Sequence, residues 1–294
     1  MPDKIPVILD TDIGSDIDDA VALAYLLKHP RCELVGVTVV TGDVARRAAC
    51  AQVICRAAGR DDIPIHCGAS SVMLMGPGQP ACPQYDAISG RPHRTDWPRN
   101  TAVDFLRQTI RRRPGEITLL TIGPYTNAGI LFALDPEIPS LLKQMVSMGG
   151  VFFEGPDRRE WNALVDPVAT AIVYRNAPPR HASIGLDVTM KCQMPAEEVR
   201  RFFRPSPLDV VAEMAEVFFR KARMLTFHDP LAAATIFRQD LCTWKTGRIN
   251  VTIEADENRC GRTVFTEAAD GPHAVACEVN PAAFFAEYFS VFGA

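Results

Sequence analysis

The chain of 294 residues lacks an excess of basic side chains, because 31 lysines and arginines stand against 35 aspartates and glutamates and give a formal net charge of −4. Binding to a nucleic-acid backbone requires a basic surface, so nucleic acid is not an expected partner. The sequence also lacks an apolar run of the roughly 18 to 20 residues that a membrane span needs. Carboxylates near its beginning occupy positions where a signal peptide has its apolar core. We therefore expect a cytoplasmic protein without a membrane partner.

A second absence concerns cysteine pairs. The nine cysteines are an odd number, they are scattered from Cys32 to Cys277, and none forms a C-x-x-C pair. A disulfide framework or a zinc cluster is therefore not indicated, and we expect mostly buried reduced thiols. Hydrophobic residues make up 47% and charged residues 22% of the chain, which is typical of a globular protein and excludes a disordered or fibrous one.

Short apolar runs alternate with segments of helical periodicity along most of the chain. Such alternation is typical of an α/β fold with a mostly parallel central sheet flanked by helices. No linker separates two parts, so we expect a single domain covering residues 1–294. The predicted strands are 5–10, 33–40, 63–67, 116–123, 144–150 and 182–188. The predicted helices are 18–29, 43–58, 101–113, one from 126, 166–176 and 232–237.

Two further regions depart from this alternation. Residues 248–254, 262–267 and 273–279 are three successive strand-like runs, which predict a small antiparallel addition near the C-terminus. Residues 68–98 are rich in Gly, Pro and Ser and form the longest irregular stretch. Loops of that length in compact domains are usually functional, so this one is a candidate cover for a site.

The strongest local signal is the sequence DTDIGSDIDDA at residues 10–20, which holds Asp10, Asp12, Asp16, Asp18 and Asp19. It follows the first predicted strand, at the sheet edge where open parallel sheets bind ligands. Crowded carboxylates repel one another, and a hard cation with oxygen ligands relieves that repulsion. Calcium, which accepts 6–8 oxygen ligands in flexible geometry, is the expected ion.

Three other interpretations account for this segment less well. Helix capping accounts for one or two of the aspartates but not for five. An EF-hand needs a glutamate at the twelfth loop position, where counting from Asp10 places Val21. A haloacid-dehalogenase-type phosphatase has a nucleophilic aspartate in an Asp-x-Asp strand end, but it expects Thr or Ser where Gly14 stands.

Together with four later segments, this motif resembles the nucleoside hydrolase family, the inosine-uridine preferring N-ribohydrolases. The four segments follow in the family's order: TVVTGD (38–43), TIGPYTN (121–127), EWNALVDP (160–167) and FHDP (227–230). The resemblance implies a single α/β domain, a calcium ion in the site, hydrolysis of nucleosides or related ribosides, and assembly into a homodimer or homotetramer.

The resemblance also implies a set of calcium ligands. Carried over by position, they are Asp12, Asp19, the carbonyl of Ile122, and Asp229. Binding both vicinal hydroxyls of a ribose to one ion would fix the ring and orient the reacting carbon.

Further positions match the family's substrate contacts. Asp18 is expected to accept a hydrogen bond from a ribose hydroxyl, and Glu160 and Asn162 to hold other sugar hydroxyls. Met148, which precedes two glycines, is expected to line the sugar pocket.

The chemistry of the bond itself supports two catalytic roles. Cleavage of an N-glycosidic bond passes through an oxocarbenium-like transition state and needs a water on the opposite face of the sugar. Asp12 fits the general base that takes a proton from this water. His228 is the candidate for protonating the departing base, because imidazole changes charge near neutral pH.

The sequence departs from the commoner family motif in two places. Two extra residues stand between Gly14 and Asp18. Asp16 therefore has no counterpart in the family motif and is an alternative to Asp18 as a hydroxyl acceptor. Asp10 matches the motif only when the alignment is anchored on the strand. Asp43 replaces an asparagine near the expected sugar site, adding an acceptor-only side chain. The loops expected to choose among bases are residues 68–98 and 205–227.

The leading hypothesis is therefore a calcium-dependent N-ribosyl hydrolase. A second hypothesis, from another class, is a calcium-dependent ribose- or nucleoside-binding protein without turnover, and the phosphatase is the third. The sequence does not indicate which base is preferred.

Overall fold

The computed structural model describes residues 4–155, 158–254 and 259–293. Most of its strands are short and buried, as the apolar runs of the sequence predict. The strands are β1 Ile5–Thr11, β2 Cys32–Val39, β3 Ile65–Cys67, β4 Thr118–Thr121, β5 Gln144–Met148, β6 His181–Ile184, β7 Gln193–Pro195, β8 Met224–Thr226, β9 Cys242–Val251, β10 Thr263–Glu267 and β11 His273–Val279.

Most helices lie between successive strands, and their lengths range from single turns to 14 residues. They are α1 Asp18–Lys28, α2 Val44–Ala57, α3 Tyr85–Ile88, α4 Ala102–Arg112, α5 Thr126–Leu134, α6 Ile138–Leu141, α7 Trp161–Val165, α8 Pro167–Arg175, α9 Leu186–Thr189, α10 Ala196–Phe202, α11 Leu208–Phe218, α12 His228–Thr235 and α13 Pro281–Ser290. Within the described residues, none of these helices combines the length and apolar character that crossing a bilayer requires.

The main sheet has nine strands in the order β10-β9-β11-β6-β5-β4-β1-β2-β3. Strands β1 to β6 pair in parallel, and β11 pairs in parallel with β6. At the far edge, β9 pairs antiparallel with both β11 and β10. The predicted α/β class, with a mostly parallel sheet and a small antiparallel addition near the C-terminus, is confirmed.

Successive residues of the central strands contribute to two different apolar layers. In β1, Val7 and Leu9 pack with α1, α2, α11, α12 and α13, whereas Ile8 packs with α4, α5, α6 and α8. This alternation follows from the two-residue repeat of a strand. Because helices cover both faces, the central strands are buried throughout, and their carboxyl ends form the edge at which polar side chains gather.

Several details differ from the sequence predictions. The strand predicted over 182–188 ends at Ile184, and α9 begins at Leu186. The segment 205–227, expected to be a base-selecting loop, contains α11 and β8 instead of irregular chain. Strands β7 and β8 form a separate antiparallel pair that the sequence did not indicate. All nine cysteines are free thiols and eight are buried, as expected.

Candidate active site

The candidate site lies at the carboxyl ends of three neighbouring strands. Asp12 directly follows β1, Ile122 directly follows β4, and Met148 is the last residue of β5, and all three line one cavity of about 600 Å³. The remaining wall comes from segments within 15–19, 79–83 and 158–162, from Leu186 and Phe218, and from 228–229. The cavity therefore occupies the sheet edge where ligands bind in open parallel folds.

Three buried carboxylates meet at one end of this cavity. Asp18 and Asp19 open α1, Asp229 lies in the first turn of α12, and these two helices pack against each other. One ligand atom from each of the three side chains lies within 4.8 Å of the others. The backbone N–H of Asp229 donates to Oδ2 of Asp18 at 3.2 Å, and the hydroxyl of Thr11 donates to Oδ1 of Asp19 at 2.5 Å.

Burial and mutual repulsion disfavour negative charge on these carboxylates. Desolvation raises the pKa of Asp18, of Asp19 and of Asp229 well above the ordinary value, and the charges of neighbouring aspartates raise each pKa further. A cation among them would remove the repulsion, and an all-oxygen set of carboxylates suits a hard divalent ion. The residues present therefore fit a metal site.

Asp12 and Asp16 share the loop between β1 and α1 but differ in exposure. Asp12 is buried, and desolvation raises the pKa of its carboxyl while the positive charge of Arg47 lowers it. Asp16 is exposed at the cavity mouth, where its Oδ1 accepts from the backbone N–H of Ile17 at 2.7 Å. The three carboxylates that come close enough together to share a metal ion are those of Asp18, Asp19 and Asp229. The resemblance implied Asp12 in place of Asp18, and Asp12 lines the same cavity.

Glu160 and Asn162 also line the cavity, and backbone groups hold both side chains. Glu160 caps α7, with Oε1 accepting from Asn162 N–H at 2.7 Å and Oε2 from the N–H groups of Gly150 at 3.0 Å and Ala163 at 2.9 Å. Burial nevertheless raises the pKa of Glu160 to about 7. The amide of Asn162 donates to the carbonyl of Ile122 at 2.8 Å. Both side chains are fixed before any ligand arrives.

Known proteins resemble this chain over nearly its whole length. Residues 7–286 match the model of the inosine-uridine preferring nucleoside hydrolase family. This chain belongs to that family. It is 30% identical to the pyrimidine-specific ribonucleoside hydrolase RihA of Citrobacter koseri over 81% of each chain. It is 26% identical to uridine nucleosidase 1 of Arabidopsis thaliana, over 83% of this chain and 77% of that protein.

A solved structure of a related protein is also similar to this chain in its fold. The purine-preferring ribonucleoside hydrolase from Gardnerella vaginalis superposes with a TM-score of 0.82 at 25% identity and covers 98% of both chains. Family membership makes this protein an enzyme of the nucleoside hydrolase class, which cleaves N-ribosyl bonds. It favours the hydrolase over the non-catalytic binding protein and over the phosphatase.

His228 of this nucleoside hydrolase lines the cavity next to Asp229. Its Nδ1 lies 2.7 Å from the hydroxyl of Thr189. Burial, aided by the charge of Arg158, lowers the pKa of His228 to about 4. At neutral pH the ring is therefore uncharged, whereas the role predicted from the sequence requires an imidazole that changes charge near pH 7.

Two of the predicted site residues lie outside the cavity wall. Asp10 is buried behind it, where Oδ1 accepts from Thr38 Oγ1 at 2.5 Å and from Asn127 Nδ2 at 2.7 Å. Desolvation raises the pKa of Asp10 to about 7. A nucleophile must face its substrate, so this position counts against the phosphatase hypothesis.

Asp43 is the second displaced residue. It caps α2 by accepting from the backbone N–H of Arg46 at 3.1 Å, and it pairs with the Arg46 guanidinium at 3.2 Å. Asp43 is not among the residues that line the cavity, so its position does not support the expected contact with the sugar.

The structure adds wall residues that sequence reasoning did not single out. Arg158 and Arg159 precede the Glu160 motif, whereas Trp161, which belongs to that motif, also lines the cavity and keeps 46% of its surface exposed. The segments expected to choose among bases contribute Gln79, Ala81 and Pro83 from 68–98 and Phe218 from 205–227. Arg158 and Arg159 could have been predicted from their position next to the Glu160 motif. Gln79, Ala81 and Pro83 could have been predicted only from the irregular composition of residues 68–98.

Proposed function

We propose that this protein is a calcium-dependent hydrolase that cleaves the N-glycosidic bond of ribonucleosides or related ribosides and releases ribose and free base. The observation that carries the proposal is the buried carboxylate trio of Asp18, Asp19 and Asp229 facing a cavity in a chain of this family. The comparisons support N-ribosyl cleavage, and the chemistry of the oxygen donors favours calcium.

The donor set is large enough for an ion of high coordination number. Asp12 and Ile122 line the same cavity as the trio, so the carboxylate of Asp12 and the carbonyl of Ile122 are further candidate ligands. Calcium accepts six to eight oxygens with flexible geometry, whereas magnesium demands a regular octahedron and keeps most of its water. We propose Asp12, Asp19, Ile122 and Asp229 as ligands, with Asp18 at the same ion or on a sugar hydroxyl.

When bound, calcium would supply a Lewis acid that favours ionisation of water and gathers the vicinal hydroxyls of the ribose. The chain itself supplies the base, because the carboxylate of Asp12 accepts the proton of the attacking water. The negative charge of the aspartate loop also favours the positive charge that develops on the sugar.

Glu160, Asn162 and Met148 orient the substrate. Glu160 accepts a hydrogen bond from the sugar's 5′ hydroxyl, Asn162 positions both the sugar and the Ile122 carbonyl, and Met148 packs against the ring. Asp16, at the cavity mouth, is the alternative to Asp18 as a hydroxyl acceptor. Because Glu160 is held by three backbone N–H groups, it needs little reorganisation to bind.

His228 assists departure of the base. With its pKa near 4, the neutral ring donates a hydrogen bond to a base nitrogen or oxygen as negative charge develops there. This role lowers the energy of the leaving group without requiring an imidazolium at neutral pH.

The test combines metal removal with one ligand substitution. The wild-type protein, stripped with a chelator and reloaded with calcium or magnesium, is assayed for ribose release from purine nucleosides, pyrimidine nucleosides and p-nitrophenyl riboside. We expect chelation to abolish release and calcium to restore it. Asp229→Asn should lose both calcium binding by calorimetry and turnover, because one charged ligand is gone. Asp240→Asn, at an exposed carboxylate paired with Arg238, is the control and should behave as wild type.

Three other outcomes would contradict the proposed function, each in a different respect. A chelated enzyme that remains fully active would refute the calcium dependence. Ribose binding without release from any substrate would support the non-catalytic protein. Turnover of p-nitrophenyl phosphate that depends on magnesium and on Asp10 would support the phosphatase.

We further propose that residues 1–294 fold as one domain that assembles into a homodimer or homotetramer in the cytoplasm. The family resemblance supports assembly, and sedimentation measures it directly. A single calorimetric unfolding transition would support one domain.

A further inference from the structure

Arg47, on α2, is a fully buried arginine whose hydrogen bonds all go to uncharged oxygens. Its exposed fraction is 0%, and it is the largest side chain that is fully buried among the described residues. Burying a charge is costly unless hydrogen bonds satisfy it. A buried guanidinium bonded only to backbone carbonyls and one hydroxyl has the arrangement of a brace between chain segments.

The first segment held by this guanidinium is the aspartate loop. Nη1 of Arg47 donates to the carbonyls of Asp12 and Ile13, the latter at 3.1 Å, and to the hydroxyl of Ser15 at 2.8 Å. These bonds fix the backbone at the point where Asp12 turns into the cavity. They leave the carboxylate of Asp12 free for chemistry.

The second segment, Gln79–Ala81, lines the cavity, and the third is the backbone at Thr41. Nη2 of Arg47 donates to the carbonyls of Gln79 at 2.8 Å and Ala81 at 3.1 Å, in the long irregular segment 68–98. Nε donates to the carbonyl of Thr41 at 2.7 Å. One planar group with five N–H donors therefore spans three loops, which is a geometry that lysine cannot reproduce.

The backbone around Thr41 shows that these loops are tightly constrained. Thr41 has a φ of +63°, which is costly for a β-branched residue and persists only where the surroundings enforce it. Its N–H donates to the carbonyl of Ala69 at 2.7 Å, and its hydroxyl accepts from Gln79 N–H at 3.1 Å. The strain and the Arg47 contacts thus converge on the same junction of loops.

We propose that Arg47 is a positioning residue of the hydrolytic reaction, holding the aspartate loop at a fixed distance from the Gln79–Ala81 wall. The aspartate loop and the Gln79–Ala81 wall then keep one spacing, so a bound substrate meets Asp12 in a reactive orientation. The kinetic part of this inference rests on the proposed function. The structural part does not, because the hydrogen bonds of Arg47 join protein groups alone.

Hydrogen exchange tests the structural part without any activity assay. Peptides covering residues 12–17 and 76–84 are compared in wild type, Arg47→Met, Arg47→Lys and Arg56→Met. Arg56 is the matched control: it also lies on α2 and also bonds the irregular segment, at the Pro92 carbonyl, but outside the cavity wall. We expect at least about tenfold faster exchange in both peptides for Arg47→Met, which leaves both loops without the brace, and no change in them for Arg56→Met.

Kinetics then separate positioning from general support of the fold. For the folded fraction of Arg47→Met we expect kcat to fall about 10²-fold, the cost of a misplacement near 1 Å, and Arg47→Lys to recover only part of the loss. Arg56→Met should stay within about twofold of wild type. A purely structural role would lower the melting temperature and leave kcat of the folded enzyme unchanged.

The outcomes are decisive in each direction. Wild-type exchange in both peptides of a folded Arg47→Met overturns the proposal, as does unchanged kcat in that variant. If Arg47→Met does not fold, the same exchange comparison is made on Arg47→Lys and decides the question. If neither variant folds, Arg47 is required for folding as a whole and the proposal is refuted. A wild-type protein that cleaves no riboside refutes the proposed function, and the exchange data still decide whether Arg47 braces the loops.

Discussion

Two glycines that flank α2 provide a test of how closely the loops around the cavity are packed. Gly42 and Gly59 have φ angles of +63° and +74°, a region that favours glycine. A Cβ on Gly42 would lie 2.3 Å from the carbonyl oxygen of Gln79 and 2.7 Å from Cα of Pro80, whereas a Cβ on Gly59 would meet nothing within 4 Å. Alanine at the two positions therefore shares a backbone cost but differs in a steric one.

The expected magnitudes follow from these two terms. A non-glycine residue in the left-handed region costs about 1–3 kcal/mol, so Gly59→Ala should lower the free energy of unfolding by about that amount. Gly42→Ala should cost about 1–3 kcal/mol more, because it forces backbone apart in a packed region. Restoring ordinary contact moves the Gln79 carbonyl by about 1 Å, and such a shift in the cavity wall costs about 10²-fold in kcat.

The assay pairs thermal unfolding with turnover of the preferred riboside. Each kcal/mol corresponds to about 2 °C in Tm for a chain of this size. We expect Gly59→Ala to lose a few degrees with kcat within about twofold, and Gly42→Ala to lose more on both measures. Equal melting temperatures and equal kcat in the two variants would show that the close approach of Gln79 to Gly42 has no energetic weight.

Two further predictions concern ionisable side chains of the site. His228→Ala should lower kcat about 10²-fold on a natural nucleoside but less than about threefold on p-nitrophenyl riboside, because the leaving group of that riboside needs no proton. An equal loss of kcat on both substrates would exclude a role of His228 at the leaving group. Glu160 has its folded pKa raised to about 7 from 4.5, so the stability it contributes is complete below pH 4.5 and is lost as the pH rises through 7. Chemical denaturation should therefore show Glu160→Gln gaining about 3 kcal/mol relative to wild type between pH 4.5 and pH 7, and a constant difference would contradict the raised pKa.

The parallel core was predictable because its signals are local. Runs such as residues 5–10 and 33–40 are apolar and β-branched, and helical periodicity follows each of them, so β1, β2 and the helices after them appear within one or two residues of their predicted bounds. Strands β7 and β8 have three residues each, which is too short to show a repeat. Their pairing depends on tertiary contacts, which a local sequence pattern does not show.

The end of β6 illustrates how a distant contact overrides local propensity. The run at 182–188 is apolar enough for a strand throughout, yet the chain leaves the sheet after Ile184. The carboxylate of Asp187 accepts hydrogen bonds from the backbone N–H groups of Phe152, Phe153 and Glu154, and α9 places it there. These partners lie more than thirty residues away, so the sequence around Asp187 does not reveal them.

The site divides in the same way. Asp12, Asp18 and Asp19 stand out because five acids in one loop need an explanation, and Asp229 was found through the resemblance to a family. Arg47 carried no signal, because an arginine on a helix is ordinarily solvated. Its burial depends on three loops that meet only in the folded chain.

The pairing of Asp19 with Asp229 has a consequence for biosynthesis. Most of the chain separates these two carboxylates, so a nascent polypeptide exposes the first long before the ribosome has made the second. Until α12 emerges and docks on α1, the acidic loop has no partner with which to enclose an ion. A chain released before α12 is made therefore lacks one of the three carboxylates of the candidate metal site.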